Sequence, residues 1–235
     1  MHPPFPYSFK DQTFWLSGQR CIYWEQEKAL IVADLHLGKT GHFRKSGIAV
    51  PQTVFKEDMQ RLLNEVQHFK PKQLIIVGDL FHSEANKELE LFKKWRKDIS
   101  SLPIHLVKGN HDILDNDWYK KAGIVLHDGE LKIKDFCFRH DISDLRPALP
   151  AGRLTTNDSG LTTQNSRLYS FSGHLHPGIY INGAGRQSLI FPCFYFKKHQ
   201  AVLPAFSRFT GTYPITPQKG ENVFAVVNNQ VMQVV

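Results

Sequence analysis

Hydrophobic and polar residues divide the chain into a first half of alternating strands and helices and a second half of strands. Near the start, Phe14-Trp15-Leu16 and Cys21-Ile22-Tyr23-Trp24 flank the turn residues Ser17-Gly18-Gln19, which predicts a β-hairpin. Continuous apolar runs are typical of strands buried on both faces. Three such runs follow, over residues 29–33, 74–77 and 104–107.

Helical periodicity lies between these runs. The clearest helix is predicted to begin at Pro51 and to end before Pro71, because apolar residues recur at steps of three and four. These residues are Phe55, Met59, Leu62, Val66 and Phe69. A second helix is predicted over residues 87–98, with Leu91, Phe92 and Trp95 facing inward, and a short third helix near residues 115–122.

The second half of the chain has mostly strand-like patterns. Strands are predicted over residues 124–126, 131–133, 136–139, 168–171, 179–181 and 188–191. Residues 142–166 are rich in turn-forming residues and are predicted to be loop, and Asn228-Asn229 predicts a terminal hairpin. We find no repeat and no linker, so residues 1–235 are predicted to form one α/β domain with an additional β half.

Polar clusters follow several of the predicted strands, and their residue types can bind metal ions. In open α/β sheets, ligands bind outside the carboxyl ends of the strands, so these clusters are expected to converge on one edge. The clusters are Asp34-Leu35-His36, Gly78-Asp79, Gly109-Asn110-His111-Asp112, Arg139-His140-Asp141 and Gly173-His174-Leu175-His176. Alternate residues of an extended strand share a side, so Asp34 and His36 are expected to reach one ion. The same reasoning applies to His174 and His176.

The seven candidate ligands are Asp34, His36, Asp79, Asn110, His140, His174 and His176. Mixed nitrogen and oxygen ligands without thiolates suit divalent ions, with Mn²⁺ as the first expectation and Fe or Zn as alternatives. Seven ligands are too many for one tetrahedral site and suit two ions about 3.5–4 Å apart, with Asp79 as the bridging carboxylate. Each cluster alone has a structural explanation, such as a turn at Gly78-Asp79, but the ordered set favours a dinuclear centre.

The ordered set resembles the motifs of the calcineurin-like metallophosphoesterase superfamily, which are D-x-H, G-D, G-N-H-D, a lone H and G-H-x-H. The resemblance implies an α/β fold in four α-β-β-α layers, with two packed mixed sheets flanked by helices. It also implies one ion held by Asp34, His36, Asp79 and His176. A second ion would be held by Asp79, Asn110, His140 and His174.

A closer resemblance is to the bacterial DNA-ligase-associated phosphoesterase branch of this superfamily. It rests on residues 33–39, on Gly78-Asp79-Leu80-Phe81-His82-Ser83, and on Leu203-Pro204-Ala205-Phe206 with Phe209-Thr210-Gly211. The resemblance implies a DNA nuclease, an endonuclease among the options, in the DNA-damage response. Its implied partners are DNA, a DNA ligase, a helicase and an exonuclease-like protein.

These residues suggest a mechanism in which two metal ions deprotonate a bridging water, and the hydroxide attacks phosphorus in line. We predict that His111 protonates the leaving oxygen and that Asp112 orients the His111 ring. Lys39, Arg44 and Lys45 follow the first cluster and are candidate phosphate contacts, although a solvated surface is the simpler explanation.

The net charge of +7 favours an anionic partner, and its distribution is uneven. Residues 145–220 contain eight basic residues and one acidic residue, and the rest of the chain is balanced. Arg153, Arg167 and Arg186 lie in this basic segment and are candidate DNA contacts, with an ordinary solvated face as the alternative.

Three separated cysteines without a C-x-x-C motif exclude a disulfide framework and favour the reducing cytoplasm. No apolar run reaches the ~18–20 residues of a membrane span, and we expect no secretory signal. A monomer and a homo-oligomer both remain open.

Two other functions remain open from the sequence. One is a phosphatase or phosphodiesterase for a small nucleotide or phosphoprotein. The other is a scaffold that binds DNA or repair proteins with weak catalysis, which the full ligand set disfavours.

Overall fold

Two β-sheets pack face to face in the computed structural model of the chain, which describes residues 2–37, 53–81, 87–141, 168–183 and 187–235. The first sheet contains seven strands, which lie side by side in chain order. They are β1 (Phe5–Phe9), β2 (Gln12–Ser17), β3 (Cys21–Trp24), β4 (Ala29–Ala33), β5 (Gln73–Val77), β6 (Ile104–Val107) and β7 (Ile124–His127). Strands β1 to β4 pair antiparallel, and β4 to β7 pair parallel.

The second sheet contains nine strands from the second half of the chain. They are β8 (Leu131–Ile133), β9 (Phe136–Arg139), β10 (Tyr169–Ser172), β11 (Pro177–Asn182), β12 (Ser188–Phe196), β13 (Gln200–Val202), β14 (Tyr213–Pro214), β15 (Asn222–Val227) and β16 (Gln230–Gln233). The order is β14-β11-β12-β13-β10-β9-β8, and β15 joins β12 to β16. Strand β10 lies between β9 and β13 and is parallel to both.

Aromatic side chains fill the space between the sheets. Phe14 and Trp24 of the first sheet contact Phe136 of the second, and the rings of Phe138 and Phe171 stack at 5.4 Å between centroids. All five side chains are at most 1% exposed. Because each buried aromatic side chain contributes about 1.5–3 kcal/mol, this core fixes the two sheets relative to each other.

Three helices of the described residues pack on the outer face of the first sheet: α1 (Thr53–Phe69), α2 (Lys87–Asp98) and α3 (Asn116–Lys121). The predicted apolar face of α1 is confirmed in its buried residues Phe55, Met59 and Leu62. In α2 the prediction for Leu91 was wrong, because Leu91 is 36% exposed and Leu89 is buried instead. The steps from Leu89 to Phe92 and on to Trp95 keep one helical face toward the sheet.

The calcineurin-like α/β sandwich predicted from the motifs is confirmed in its two packed mixed sheets. The resemblance also implied helices outside the second sheet. Within the described ranges, the apolar cluster on that outer face comes from strands and loops: Cys193, Tyr195, Val202, Ile215 and Val223. No described helix is long and apolar enough to cross a membrane.

Most predicted strands are present. Strand β1 was missed because Pro6 cannot donate to a ladder, yet it is tolerated since β1 lies at the sheet edge. The predicted terminal hairpin is confirmed as β15–β16, and Asn228 and Asn229 at its turn both have positive φ, at 49° and 61°. A two-residue type I′ turn requires this conformation.

Candidate metal centre

The polar clusters lie at the carboxyl ends of parallel strands from both sheets. Asp34 directly follows β4, Asp79 lies two residues after β5, and Asn110 lies in the loop after β6. From the second sheet, His140 directly follows β9 and His174 lies two residues after β10. Because the sheets pack face to face, these ends meet at one edge, as the sequence predicted.

Asp34, His36 and His176 form the first ligand group. Their ligand atoms all lie within 4.8 Å of one another, as a metal site requires. His176 Nε2 lies 3.3 Å from His36 Nε2 and 3.6 Å from Asp34 Oδ2. Two histidine nitrogens bound to one tetrahedral ion at about 2.0–2.1 Å lie roughly 3.4 Å apart, so the observed separation fits a shared ion.

Asp79, His140 and His174 form the second ligand group, again within 4.8 Å of one another. His140 Nε2 lies 3.3 Å from Asp79 Oδ2 and 3.2 Å from His174 Nδ1. Asn110 Oδ1 lies 2.9 Å from the same His140 nitrogen, which adds an amide oxygen to the group. The resemblance assigned these same four residues to one ion.

Asp79 lies between the two groups. Its Oδ2 is 3.3 Å from His140 Nε2 and 3.9 Å from His36 Nδ1, so one carboxylate faces both. Burial alone raises the pKa of Asp79, but the hydrogen bond and charge of His140 and the His111 amide outweigh it and lower the pKa to about 2. The carboxylate is therefore ionised, which is the state that binds a metal.

The pKa of His140, which faces the Asp79 carboxylate, shifts in the opposite direction. Burial lowers the pKa of His140, but its hydrogen bond to Asp79 and the charges of Asp79 and Asp34 outweigh this and raise it. His140 therefore holds a proton more strongly than a free imidazole does, and metal binding, which needs the neutral ring, competes with that proton.

The backbone of the ligand residues differs from the predicted extended strand. Asp34 and His36 both have positive φ, at 52° and 48°, and lie beyond the end of β4. The pleat of a strand is therefore not what brings them together. Hydrogen bonds from Asp34 N to Gly78 O at 3.3 Å and from His36 N to Asp79 O at 2.8 Å hold the two loops side by side instead.

The backbone of the last two histidines is not extended either, and this directs them to different ligand groups. His174 and His176 have positive φ, at 64° and 51°, in the turn between β10 and β11. The prediction from strand spacing that both reach one ion was wrong, because His174 lies in the second group and His176 in the first. The division implied by the family resemblance matches this arrangement.

Two glycines of the motifs allow the ligands to approach the backbone closely. A Cβ at Gly173 would lie 2.4 Å from Asp34 Oδ2, and a Cβ at Gly78 would lie 1.8 Å from His140 Nδ1. Gly78 also has a φ of 77°, which side chains rarely adopt. The glycine in each motif therefore makes room for a ligand supplied by a different motif.

The Asp112 carboxylate holds two stretches of backbone together through hydrogen bonds. It accepts hydrogen bonds from the amides of Gly109, Leu80 and Phe81 at 2.9, 2.9 and 3.2 Å. Tyr119 adds a longer hydroxyl contact of 3.5 Å. Burial raises the pKa of Asp112 to about 6. Its position ties the loop after β6 to the segment that carries Asp79. Its role in orienting the His111 ring stays a prediction.

His111 lies at the side of the first group. Its amide donates a 2.9 Å hydrogen bond to Asp79 Oδ1, and its ring centroid lies 5.9 Å from that of His36 in an edge-to-face arrangement. The backbone of His111 therefore fixes the bridging carboxylate, while its imidazole lies beside the ligands. This position suits the predicted general acid, whose role stays a prediction.

Six predicted phosphate or DNA contacts lie outside the described residues: Lys39, Arg44, Lys45, Arg153, Arg167 and Arg186. Sequence reasoning, in turn, missed a segment that touches the centre. Ser207 N donates to Asp34 O at 3.3 Å and Phe206 N donates to Ala33 O at 2.8 Å. The only sequence signal was the Leu203-Pro204-Ala205-Phe206 motif noted in the closer resemblance, which carried no assigned contact.

The residues present fit two divalent ions. The donors are carboxylate and amide oxygens and imidazole nitrogens, a set suited to Mn, Fe or Zn. Asp34 Oδ1 is buried and accepts no hydrogen bond from any described residue. A buried carboxylate oxygen without a donor is costly unless a cation satisfies it. The metal identity does not follow from this donor set.

Comparison with known proteins agrees with this geometry. Residues 28–183 match the family described as calcineurin-like phosphoesterase. A crystal structure of the Pseudomonas putida nuclease MPE is similar at 27% identity and a TM-score of 0.76, covering 98% of this chain and 100% of that chain. The phosphoesterase YfcE from E. coli is 13% identical with a TM-score of 0.44, covering 88% of this chain and 97% of that chain.

Among the curated proteins, none matches this sequence. The family match nevertheless spans more than half of the chain and includes all seven candidate ligands. This chain therefore belongs to the calcineurin-like phosphoesterase family, and it is a metal-dependent hydrolase of phosphate esters.

Proposed function

We propose that the chain hydrolyses phosphodiester bonds of DNA with two divalent ions, Mn²⁺ being the first expectation. The observation that carries this proposal is the pair of adjacent ligand groups that face one carboxylate, Asp79. Two ions about 3.5–4 Å apart clamp both the attacking and the leaving oxygens of an in-line displacement at phosphorus.

The seven ligand residues and His111 each have a part in the proposed reaction. Asp34, His36 and His176 hold one ion, and Asn110, His140 and His174 hold the other, with Asp79 shared between them. The two ions, when bound, supply a water nucleophile at neutral pH and neutralise charge on the phosphate oxygens. The His111 imidazole donates a proton to the leaving oxygen, which contributes roughly 10²–10⁴-fold.

DNA as the substrate is supported by two observations. The similar Pseudomonas putida protein is called a nuclease, and the similarity extends over 98% of this chain. The excess positive charge of the chain lies in residues 145–220, which include the turn that carries His174 and His176. A polyanion binds such a segment through release of the counterions on its phosphates.

One panel of substrates tests the proposal. The metal-free protein is reconstituted with Mn²⁺ and assayed on bis-p-nitrophenyl phosphate, p-nitrophenyl phosphate, single-stranded DNA and duplex DNA, with EDTA as the control. We expect cleavage of the diester and of at least one form of DNA. Cleavage of the monoester without either diester would instead identify a phosphatase for small esters or phosphoproteins.

A charge experiment tests the DNA contact separately. Neutralising Arg153, Arg167 and Arg186 together is expected to weaken DNA binding and to reduce its salt dependence, because fewer counterions are released. Hydrolysis of bis-p-nitrophenyl phosphate is expected to stay unchanged.

A control variant carries the same change in charge. It neutralises Lys94, Lys97 and Lys121, which are exposed on the helical side of the first sheet. Unchanged DNA affinity in the arginine variant, or equal losses in both variants, would contradict a localised DNA surface.

We also propose that this activity serves DNA repair in the cytoplasm, together with a DNA ligase, a helicase and an exonuclease-like protein. All three cysteines are free and buried, which suits a reducing compartment. Co-purification of these partners from cells treated with a DNA-damaging agent tests the association. A DNA-binding scaffold with weak catalysis would retain the partners and show no metal-dependent cleavage.

A further inference from the structure

A short segment connects the second sheet to the first ligand group. Leu203–Ser207, which we call the strap, follows β13 and continues its pairing through a 2.8 Å hydrogen bond from Leu203 N to Ser172 O. At its other end, Phe206 N donates to Ala33 O at 2.8 Å and Ser207 N donates to Asp34 O at 3.3 Å. The strap therefore contacts the backbone of a ligand residue directly.

Two arginines hold the strap from the opposite side. Arg61 Nη2 donates to Phe206 O at 2.5 Å, and its guanidinium lies 4.1 Å from the centroid of the Phe206 ring. Arg20 Nη1 donates to Ser207 O at 3.1 Å and to Ala205 O at 3.4 Å. Three consecutive carbonyls of the strap are thus bound by charged donors, and such bonds are about twice as strong as neutral ones.

Arg61 is rigidly placed for this task. It is 9% exposed, projects from α1, and forms a 2.8 Å ion pair with Asp58 one helical turn earlier. Its Nη1 also donates to Gln19 O at 3.0 Å, next to Arg20. A buried guanidinium is costly unless each partner is present, so this arrangement indicates a defined position for the strap.

The chain of contacts ends at a carboxylate that needs precise placement. Asp34 has a left-handed backbone, with a φ of 52°, and within the described ranges its Oδ1 accepts no hydrogen bond and has only a 3.6 Å ion-pair contact with His140 Nδ1. Only Oδ2 is fixed by a donor on the backbone, the amide of His174 at 3.0 Å. The orientation of the Asp34 carboxylate therefore depends largely on the position of the Asp34 main chain. The strap contacts that main chain.

We propose that Arg61, assisted by Arg20, is a positioning residue for the metal ion held by Asp34, His36 and His176. It acts through the strap, which fixes the backbone of Asp34, and it touches neither the ion nor the substrate. Asp34 is not a ligand of the second group, and among the described residues it meets that group only through the His174 amide at 3.0 Å and His140 Nδ1 at 3.6 Å. The second ion is therefore expected to be much less sensitive to Arg61 than the first. This inference rests on the metal centre of the proposed function.

Two variants, each with only one ligand group left intact, allow the two groups to be tested separately. His174→Ala weakens the second group and leaves the first, whereas His176→Ala weakens the first and leaves the second. Arg61→Met is made in each background in the full-length chain, and Mn²⁺ affinity is measured by counting free Mn²⁺ by electron paramagnetic resonance. We expect Arg61→Met to lower the affinity about 10–100-fold with His174→Ala, as loss of an outer contact does. With His176→Ala, the affinity is expected to stay within about twofold.

Arg96→Met provides the matched control. Arg96 is also a helix arginine that donates to backbone carbonyls, to Ile99 O at 2.5 Å and Gly123 O at 3.3 Å, and no described ligand lies on its path. It is expected to lower the thermal stability while leaving Mn²⁺ affinity unchanged in both backgrounds. Arg61→Lys retains the charge and one donor, so it is expected to recover part of the lost affinity.

The outcomes are distinct. Equal affinity losses in both backgrounds, or the same loss with Arg96→Met, would overturn the inference and leave Arg61 a general stabiliser. If Arg61→Met fails to fold, Arg61→Lys and Arg20→Met provide the same comparison, and no selective loss in either variant overturns the inference. If the unmodified chain binds no Mn²⁺, the proposed function itself fails.

Discussion

The two ligand groups lie side by side and share the same chemistry, yet they differ in burial and support. In the first group, Asp34 is 0% exposed and His36 is 5% exposed, and the strap joins the group to the second sheet. The second group includes a buried carboxylate and imidazole, but His174 and Asn110 are exposed. An ion in the first group would therefore be enclosed by protein, and an ion in the second group would lie at the protein surface.

This difference suggests a division of labour. A ligand set that is buried and held from behind keeps its geometry when the ion leaves, so less conformational entropy is lost on binding. Exposed ligands are free to rearrange and are more accessible to water and substrate. We expect the first group to bind its ion more tightly, and the second to exchange its ion and admit the substrate phosphate.

Replacing Asp79, which both groups share, should abolish metal binding in both groups. Asp79→Asn keeps the size of the side chain but loses the charge that faces His36 and His140. Both ions are expected to be lost, and turnover of bis-p-nitrophenyl phosphate is expected to fall at least about 10³-fold, since metal stabilisation amounts to several kcal/mol. Metal analysis and turnover are measured together. A fully metallated, active Asp79→Asn would show that Asp79 does not bridge.

A change beside the centre should separate chemistry from metal binding. His111→Ala retains the backbone amide that donates to Asp79 Oδ1 and removes only the imidazole. Metal content is expected to stay at two ions while turnover falls roughly 10²–10⁴-fold, as expected for a lost general acid. Loss of both ions in this variant would instead make the imidazole part of the metal support.

The comparison of the two groups is tested most directly by removing one ligand from each. His176→Ala and His174→Ala are each expected to reduce the stoichiometry from two ions to one. The ion retained by His174→Ala should bind about tenfold more tightly, because it occupies the buried group and ligand positioning is worth about 10–100-fold. Mn²⁺ titration of both variants measures this difference. A tighter ion in His176→Ala would reverse our assignment.

The smallest effect is expected from the loop anchor of the second group. Asp112→Asn keeps a carbonyl oxygen for Leu80 and Phe81 but loses the acceptor for Gly109 N. We expect about a tenfold loss of metal affinity in the second group. The turnover of the fully metallated variant should be preserved. A large loss of turnover at full metal occupancy would support the original prediction that Asp112 orients His111.

Sequence reasoning predicted the elements and the convergence of the ligands, but not the local geometry that brings the ligands together. Buried runs such as Ala29–Ala33 identify strands by composition, and the carboxyl ends of parallel strands then meet by topology. The positive φ of Asp34 and His36 left no such signal, because these conformations are imposed by contacts with the Gly78-Asp79 loop. Left-handed residues other than glycine cannot be inferred from their type alone.

The strap could not be predicted for a related reason. Its effect depends on contacts between residues that are more than a hundred positions apart in the chain, such as Arg61 with Phe206. Nothing in the amphipathic pattern of the helix distinguishes Arg61 from its other polar residues. The position of Asp112 beside His111 in the sequence likewise gives no sign that its carboxylate accepts from the amides of Leu80 and Phe81. Tertiary contacts of this kind leave no periodicity, whereas helices and strands do.

If the strap positions Asp34 as proposed, the first ligand group is complete only late in synthesis. Chains emerge and fold from the amino terminus at about 5–20 residues per second, so the first sheet and its helices are available early. His174, His176 and the strap all come later than Asp34 and His36 in the chain. A nascent or truncated chain that ends before Ser207 therefore carries an incomplete metal support. The first ion is therefore expected to bind tightly only after residues 203–207 have been made and have folded against Ala33 and Asp34.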